Sequence, residues 1–171
     1  MIKIKEATEN DAEVLAILGR ITYAESHRIY IHDEEDLLKY SDEAFSMSKI
    51  TQDLNNPRLL FYLISVNDLP VGYAKLILGT THESIPSANN CRLDKIYILE
   101  DFIRLKLGQK LMTFLEEQAQ SLKLDTIWLV VYVKNIRAIK FYKKNEFKEV
   151  GGYNFPVNGK NYKNIVFAKN I

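Results

Sequence analysis

The segment Cys91–Leu122 reads CRLDKIYILEDFIRLKLGQKLMTFLEEQAQSL and combines a strand, a basic turn and a helix. Its first part alternates between two faces and is rich in β-branched and aromatic residues, which favours a strand. Its last part carries leucine and phenylalanine at helical spacing, which predicts an amphipathic helix. The turn between them holds Arg104, Lys106, Gly108 and Lys110. Such a turn before a helix presents backbone N–H groups and positive charge to a phosphate.

Two kinds of phosphate ligand would suit this turn, a nucleotide or coenzyme A. The chain contains neither G-x-G-x-x-G nor G-x-x-x-x-G-K-[ST], the motifs by which many folds bind nucleotides. Coenzyme A needs a comparable set of donors for its pyrophosphate. A second segment, Trp128–Phe147, separates the two alternatives through its resemblance to a known family.

From Asn135 to Phe147 the chain reads NIRAIKFYKKNEF. This resembles the N-x-x-A-x-x-F-Y-x-x-x-G-F segment of the GCN5-related N-acetyltransferase (GNAT) superfamily, and the likeness extends from Ile2 to about Lys169. It implies an α/β (α+β) fold with a central mixed, twisted sheet of about seven strands and about four to five flanking helices. The element pattern β–α–α–β–β–β–α–β–α–β–β agrees, and we expect one domain over residues 1–171.

Composition narrows the classes of protein. A chain of 171 residues that is 47% hydrophobic has the size and core of one domain. The net charge of +1 shows no excess of basic residues of the kind that is typical of nucleic-acid-binding proteins. The longest apolar runs are shorter than a membrane span. The single cysteine, Cys91, cannot support an internal disulfide framework. We therefore expect a cytoplasmic protein with no nucleic-acid or membrane partner.

The resemblance implies acetyl-CoA as the co-substrate and no metal. In this fold two central strands diverge, here predicted as Leu93–Ile98 and Thr126–Tyr132, and the pantetheine arm lies between them. The backbone of Ile96 and Ile98 would bind that arm, and backbone N–H groups of the basic turn would hold the pyrophosphate. The full set expected to bind the cofactor is Ile96, Tyr97, Ile98, Arg104, Leu105, Lys106, Leu107, Gly108, Gln109, Lys110, Asn135, Ala138, Tyr142 and Lys144.

Two residues are candidates for catalysis. In the family, the counterpart of Tyr142 protonates the leaving thiolate, although a core tyrosine with a satisfied hydroxyl is the alternative. An amine acceptor with a pKa of about 10.4 must be neutral to attack, which costs roughly 4–5 kcal/mol at pH 7. Asp94, on the central strand, is the candidate base, directly or through a water. The alternative for Asp94 is a structural ion pair with Lys95, Arg92 or another cation.

The chain departs from the family pattern [QR]-x-x-G-x-[GA] in the basic turn. Ile103 stands at the first position and Lys106 at the first glycine, whereas Gly108 matches. A positive φ at Lys106 would cost on the order of 1 kcal/mol, which contact of its charge with the pyrophosphate would recover. Glu146 likewise replaces the glycine before Phe147. The alternative for this turn is a solvated loop.

The N-terminal third is expected to bind the acceptor, with Tyr23, His27, Tyr30 and Glu34 as the candidates. Aromatic and acidic residues interleave over residues 23–43, and both suit a flexible polycation. A solvated acidic face is the alternative. His27 and His32 have no third ligand nearby, which argues against a metal site. The layout also resembles bacterial spermidine/spermine N-acetyltransferases in Phe45, Asn56-Pro57, Gly72-Tyr73, Ile96-Tyr97-Ile98 and Phe141-Tyr142-Lys143-Lys144.

Three functions follow for comparison. The first is acetylation of a small primary amine, including a polyamine, by direct attack in a ternary complex. The second is acetylation of a protein N-terminus or lysine. The third is a non-catalytic acyl-CoA-binding regulatory module, which the altered Ile103–Gly108 turn favours and the retained Asn135 and Tyr142 oppose. Because this fold often dimerises, a homodimer is also an expectation.

Overall fold

The structure is a computed structural model that describes residues 1–31, 34–157 and 160–171. Short 3-10 helices cover Glu9–Asp11 and Glu100–Leu105. The helices are α1 (Ala12–His27), α2 (Glu34–Ala44), α3 (Met47–Leu54), α4 (Leu107–Ser121) and α5 (Ile136–Lys144). The strands are β1 (Ile2–Glu6), β2 (Leu59–Val66), β3 (Leu69–Leu78), β4 (Asn90–Ile98), β5 (Thr126–Tyr132), β6 (Lys148–Val157) and β7 (Lys160–Asn170).

The seven strands form one sheet in the order β1-β2-β3-β4-β5-β7-β6. The β4–β5 pair is parallel, whereas β1–β2, β5–β7 and β6–β7 are antiparallel. The predicted mixed sheet of about seven strands is therefore confirmed. The predicted order had two helices between β1 and β2, although the spacing of Ile50 and Leu54 also suggested a short helix there, and the structure has three. Ser46 accounts for the third, because its Oγ accepts the Lys49 N–H at 3.2 Å and begins α3 separately.

Two strands have the predicted bounds, β2 (Leu59–Val66) and β5 (Thr126–Tyr132). The turn predicted at residues 67–70 is shorter than expected, because Asn67 and Asp68 alone adopt positive φ values of 49° and 66°. Two such residues form a tight hairpin turn whose twist matches the flanking strands, so Leu69 and Pro70 belong to β3. The last two strands were predicted over 147–153 and 162–168; β6 ends later than predicted, and β7 is longer at both ends. The Asn158-Gly159 turn lies outside the described residues.

The chain divides into two compact units, residues 1–76 with 95–114 and residues 77–94 with 115–171. The first unit has a core of buried side chains from α1, α3, β2 and β3, among them Leu15, Ile50, Phe61 and Leu63. Asp53 lies in this unit with 4% of its surface exposed and forms ion pairs with Lys75, at 2.8 Å, and with Lys49. The two ion pairs offset the free-energy cost of burying this charged carboxylate.

Gly72 allows β3 and β4 to approach closely within the first unit. A Cβ on Gly72 would lie 2.4 Å from the Tyr97 carbonyl oxygen and 2.5 Å from a methyl group of Ile98. The first contact involves backbone, which cannot move aside as a side chain can. The close approach of the two strands at Tyr97 therefore depends on glycine at position 72.

The second unit is organised around Trp128, the only tryptophan in the sequence. Its indole N–H donates to Thr80 Oγ1 at 2.8 Å and to Asn90 Oδ1 at 3.0 Å. The His82 ring packs at 5.4 Å and the Arg92 guanidinium lies over the indole at 5.6 Å. These contacts hold the segment before β4 against β5, and the side chain of Trp128 is only 3% exposed.

Candidate active site

The predicted basic turn consists of the 3-10 helix Glu100–Leu105 followed by the first turn of α4. Lys106 joins them with φ 57° and ψ 26°, so the positive φ considered from the sequence is present. The Gln109 and Lys110 N–H groups, both expected to face the cofactor, instead donate to the Lys106 carbonyl at 3.1 and 3.4 Å. Leu107 and Gly108 therefore supply the N–H groups at the start of α4 that can face a ligand. α4 has no acidic residue in its first turn, and the side chains of Arg104, Lys106 and Lys110 are exposed. This donor set fits a pyrophosphate group.

Replacing Lys106 with glycine tests the two effects expected of this residue. Glycine removes the steric cost of the positive φ, so the free energy of unfolding should rise by about 1 kcal/mol. If the lysine charge contacts the pyrophosphate, acetyl-CoA binding should weaken in the same variant. Glu146→Gly is a matched control, because Glu146 has φ 66° and should be stabilised without losing affinity. Chemical denaturation and calorimetric titration measure both quantities, and equal affinity in the two variants would refute the charge contact.

The parallel pairing of β4 with β5 is short and covers Asn90↔Thr126, Cys91↔Ile127 and Arg92↔Trp128. Farther along, the N–H of Leu99, just after β4, donates to the Val71 carbonyl at 2.9 Å. Cys91 is fully buried, and burial raises the pKa of its thiol to about 12. Cys91 is therefore a core residue, and its thiol stays protonated near neutral pH.

Asn135 has a structural task that sequence analysis missed. It is the N-cap of α5, and its Oδ1 accepts the Ala138 N–H at 3.0 Å. Asparagine directly before a helix is a strong capping signal, so the pattern itself offered this assignment. Since the oxygen is engaged, the side-chain NH₂ is the group that can serve a ligand. Ala138 lies in the first turn of α5, and the exposed Lys144 ends the helix.

Tyr142 lies in the last turns of α5 with its ring inside an aromatic group. The centroid of its ring lies 5.5 Å from that of Phe141, 5.9 Å from that of Phe147 and 6.4 Å from that of Phe167. Burial raises the pKa of the Tyr142 hydroxyl, which therefore stays protonated at neutral pH. Within the described ranges, no group forms a hydrogen bond with this hydroxyl. The ring is thus fixed by packing while the O–H remains able to donate to a ligand.

Asp94 forms an ion pair with Arg92, whose Nη2 lies 3.2 Å from Asp94 Oδ1. The two residues are two apart in β4 and therefore lie on the same face of the sheet. Arg92 also covers the Trp128 ring, and its Nε is buried without a hydrogen bond. This is the ion pair considered as an alternative for Asp94. A carboxylate beside a guanidinium is held in its charged form and is correspondingly a weak base.

The first unit contains an aromatic cluster, which we define as Tyr23, His27, Tyr40, Phe45 and Tyr97. Tyr23 stacks on His27 at 4.2 Å and on Tyr40 at 4.4 Å. Phe45 lies 5.9 Å from Tyr23, and Tyr97 of β4 lies 6.1 Å from His27. Two of the predicted acceptor residues, Tyr23 and His27, therefore belong to one cluster.

Lys95 of β4 joins the aromatic cluster through its ammonium group. Its Nζ lies 5.9 Å from the Tyr40 ring centre, 5.7 Å from that of Phe45 and 3.4 Å from the Tyr40 hydroxyl. The sequence suggested that a polycationic ligand would place a cation over these rings. In the structure, the Lys95 side chain occupies that position. Sequence analysis missed this because residues 40 and 95 are far apart in the chain and nothing local links them.

The two other predicted acceptor residues lie in the neighbouring segments. Tyr30 follows α1 in a turn in which its N–H donates to the His27 carbonyl at 2.8 Å. Glu34 is the exposed first residue of α2. His32, considered above for metal binding, lies outside the described residues, as does Asp33.

Two searches bear on other kinds of site. No group of three or more His, Cys, Asp or Glu side chains in the described ranges is arranged to hold a metal ion. In the same ranges, no helix combines the length and apolar character needed to cross a membrane.

Comparison with known proteins was made against families, curated sequences and solved structures. The model of the acetyltransferase (GNAT) family matches residues 22–147. An uncharacterized N-acetyltransferase from the pepI 3' region of Lactobacillus delbrueckii subsp. lactis is 26% identical over 82% of this chain and 81% of its own length. An uncharacterized N-acetyltransferase of Mycobacterium tuberculosis is 26% identical over 80% of this chain and 83% of its own.

The solved structures agree on the fold. The PaiA N-acetyltransferase of Thermoplasma acidophilum, crystallised in complex with coenzyme A, has a TM-score of 0.81 at 20% identity over 100% of this chain and 99% of that one. The ribosomal-protein-S18-alanine N-acetyltransferase of Escherichia coli has a TM-score of 0.74 at 18% identity over 100% and 94%. Fold, basic turn and family match together show that the chain belongs to the acetyltransferase (GNAT) family and is an acetyl-CoA-dependent N-acetyltransferase.

Proposed function

We propose that the 171 residues act as one domain that acetylates a small primary amine by direct attack, with a polyamine such as spermidine or spermine as the acceptor. Acetyl-CoA supplies the acetyl group: the amine lone pair forms the C–N bond, and the C–S bond breaks with its electron pair on sulfur. The nitrogen loses one proton to a base, and the sulfur takes up one proton to leave as a thiol. No covalent enzyme intermediate is required, and the buried thiol of Cys91 is unsuited to form one.

The basic turn and α5 are proposed to bind the cofactor. N–H groups at the start of α4 and the exposed Arg104, Lys106 and Lys110 suit the pyrophosphate. The Asn135 side-chain NH₂ suits an amide oxygen of the pantetheine arm, because its Oδ1 caps the helix. That the Thermoplasma relative was crystallised with coenzyme A supports this assignment.

Tyr142 is proposed as the group that donates a proton to the leaving thiolate. Its O–H is protonated at neutral pH and its ring is fixed by three phenylalanines. A donor held in place strengthens its hydrogen bond as negative charge develops on sulfur. Asp94 remains the proposed base, although its ion pair with Arg92 favours an electrostatic role over proton abstraction.

One observation carries the polyamine assignment, a shallow surface groove along α2. Its lining comprises Glu34, Glu35, Leu38, Lys39, Asp42 and Glu43, which is four carboxylates and one lysine. Arg20 pairs with Asp42 at 2.6 Å, and Glu34, Glu35 and Glu43 are exposed. Spaced carboxylates suit the repeated ammonium groups of a polyamine, whereas a monoamine could pair with only one of them.

A thiol-release assay over an acceptor panel tests the proposal. The panel contains spermidine, spermine, monoamines of similar length, a peptide with a free N-terminus, and an N-terminally blocked peptide with one lysine. We expect the highest kcat/KM on the polyamines, and a loss of about tenfold when Glu34 and Glu35 are both changed to glutamine. Preference for a peptide would replace the acceptor assignment, and turnover on none of them would refute the proposed reaction.

A further inference from the structure

The His27 ring has a defined proton position. Its Nδ1 lies 3.2 Å from the backbone carbonyl oxygen of Tyr23, one helical turn earlier. A carbonyl oxygen only accepts hydrogen bonds, so Nδ1 must carry the proton in the neutral ring. Nε2 is then the nitrogen with the lone pair. Among the described residues, none forms a hydrogen bond with Nε2.

The ring remains neutral under ordinary conditions. Burial in the aromatic cluster and the nearby charge of Lys95 lower the pKa of His27 to about 4, against the opposing hydrogen bond to Tyr23. At pH 7 the Nε2 lone pair is therefore available in essentially every molecule. The Lys95 ammonium lies 5.9 Å from the Tyr40 ring centre and 5.7 Å from that of Phe45, so its charge is placed within the cluster.

The groups around His27 come from α1, α2, β4 and β3. α1 contributes the Tyr23 ring, and α2 contributes Tyr40, with Asp36 one turn earlier on the same helix. Tyr97 of β4 lies at 6.1 Å, and Tyr73 of β3 lies behind it at 5.9 Å. The ammonium of Lys95 lies over the rings of Tyr40 and Phe45.

We propose that His27 positions the acceptor amine at the point of attack and that the charge of Lys95 selects its neutral form. His27 Nε2 accepts a hydrogen bond from the amine N–H, which leaves the nitrogen lone pair free to attack. The Lys95 charge disfavours an ammonium ion at the same place. This proposal rests on the proposed function and adds the chemistry of its acceptor end.

The α2 groove and the aromatic cluster would hold different nitrogens of the polyamine, because their charges differ. A polyamine needs its distant nitrogens charged to bind and its reacting nitrogen neutral to attack. The carboxylates of the α2 groove suit the former, and a neutral imidazole beside a lysine suits the latter. A nearby like charge lowers the pKa of a bound ammonium by about one unit or more.

Three histidine variants test the hydrogen bond. His27→Phe keeps a flat ring but removes the acceptor, and kcat/KM for the amine should fall about tenfold, the value of one hydrogen bond. His27→Gln restores an acceptor atom and should recover most of that loss. His82→Phe, the same change in the second unit, should leave kinetics unaltered. Full activity of His27→Phe, or no recovery with glutamine, would overturn the role of Nε2.

The pH dependence of kcat at saturating amine tests the role of Lys95. The acid limb of this profile reports the bound amine, because only its neutral form reacts. Lys95→Met should move that limb upward by about one pH unit, since the disfavouring charge is gone. A purely structural lysine would lower kcat at every pH without moving the limb. An unmoved limb would overturn the electrostatic role.

A nuclear magnetic resonance titration separates failure of this proposal from failure of the proposed function. In protein labelled with ¹⁵N-histidine, the His27 signals are assigned by comparison with His27→Gln. Adding the best amine of the panel, or spermidine if none turns over, should shift the His27 Nε2 resonance. A shift without turnover refutes only the reaction. An unshifted Nε2 refutes this proposal.

Discussion

Tyr142→Phe is expected to lower kcat about 100-fold while leaving the KM for acetyl-CoA nearly unchanged. The substitution removes one oxygen and keeps the ring among Phe141, Phe147 and Phe167. Within the described part of the chain that oxygen has no hydrogen-bond partner, so its loss should scarcely alter the melting temperature. Steady-state kinetics and thermal unfolding of the same preparation measure the two quantities.

Tyr162→Phe is the control, because Tyr162 is a partly buried tyrosine in the same unit whose ring contacts Tyr132 at 5.7 Å. We expect wild-type turnover from it. A lowered kcat in Tyr142→Phe accompanied by an equally lowered melting temperature would indicate a packing role for Tyr142. Unchanged kcat would show that the thiolate takes its proton from another source.

Asp53→Asn is expected to lower the free energy of unfolding by about 3–5 kcal/mol. The change is nearly isosteric but removes the charge that pairs with Lys75, whose residue is 9% exposed. Although burial acts to raise it, hydrogen bonds from Lys49 and Lys75 bring the pKa of Asp53 below its ordinary value. The stabilisation that ionised Asp53 provides is therefore complete above about pH 4. It is lost as the pH falls through the pKa of Asp53 in the folded protein, which is the lower of its two pKa values.

The companion variants make this effect specific. Lys49→Met removes only the more exposed partner, and we expect a loss of about 1 kcal/mol or less. Adding Lys75→Met to Asp53→Asn should recover part of the lost stability, because no unbalanced buried cation remains. Urea denaturation at pH 7 and pH 3.5 measures all four proteins. A double variant less stable than Asp53→Asn would contradict the electrostatic explanation.

Local patterns predicted the fold well because they determine individual elements. The apolar run of β2 and the β-branched run of β5 gave both strands their observed bounds. A positive φ at Lys106 was considered because the family pattern places glycine at that backbone position, and the structure has a φ of 57° there. The predicted order did not count α3 as a separate helix, because only a single serine cap, Ser46, separates it from α2.

The candidate site was harder to predict because its important contacts join distant residues. Tyr23 and His27 were expected at the acceptor end, but Lys95 reaches their cluster only after folding brings β4 beside α2. An ion pair of Asp94 with Lys95, Arg92 or another cation was considered as an alternative to a base, and the structure shows the pair with Arg92. The Asn135 cap was a local signal that the search for ligand contacts overlooked.

The position of the single tryptophan has a practical consequence for spectroscopy. Trp128 is buried against Thr80, Asn90 and Arg92, so intrinsic fluorescence excited at the red edge reports almost entirely on the second unit. Circular dichroism, in contrast, samples the backbone of both units. Coincident denaturation curves from the two methods would mean that the whole chain melts cooperatively, and separated curves would reveal which unit melts first.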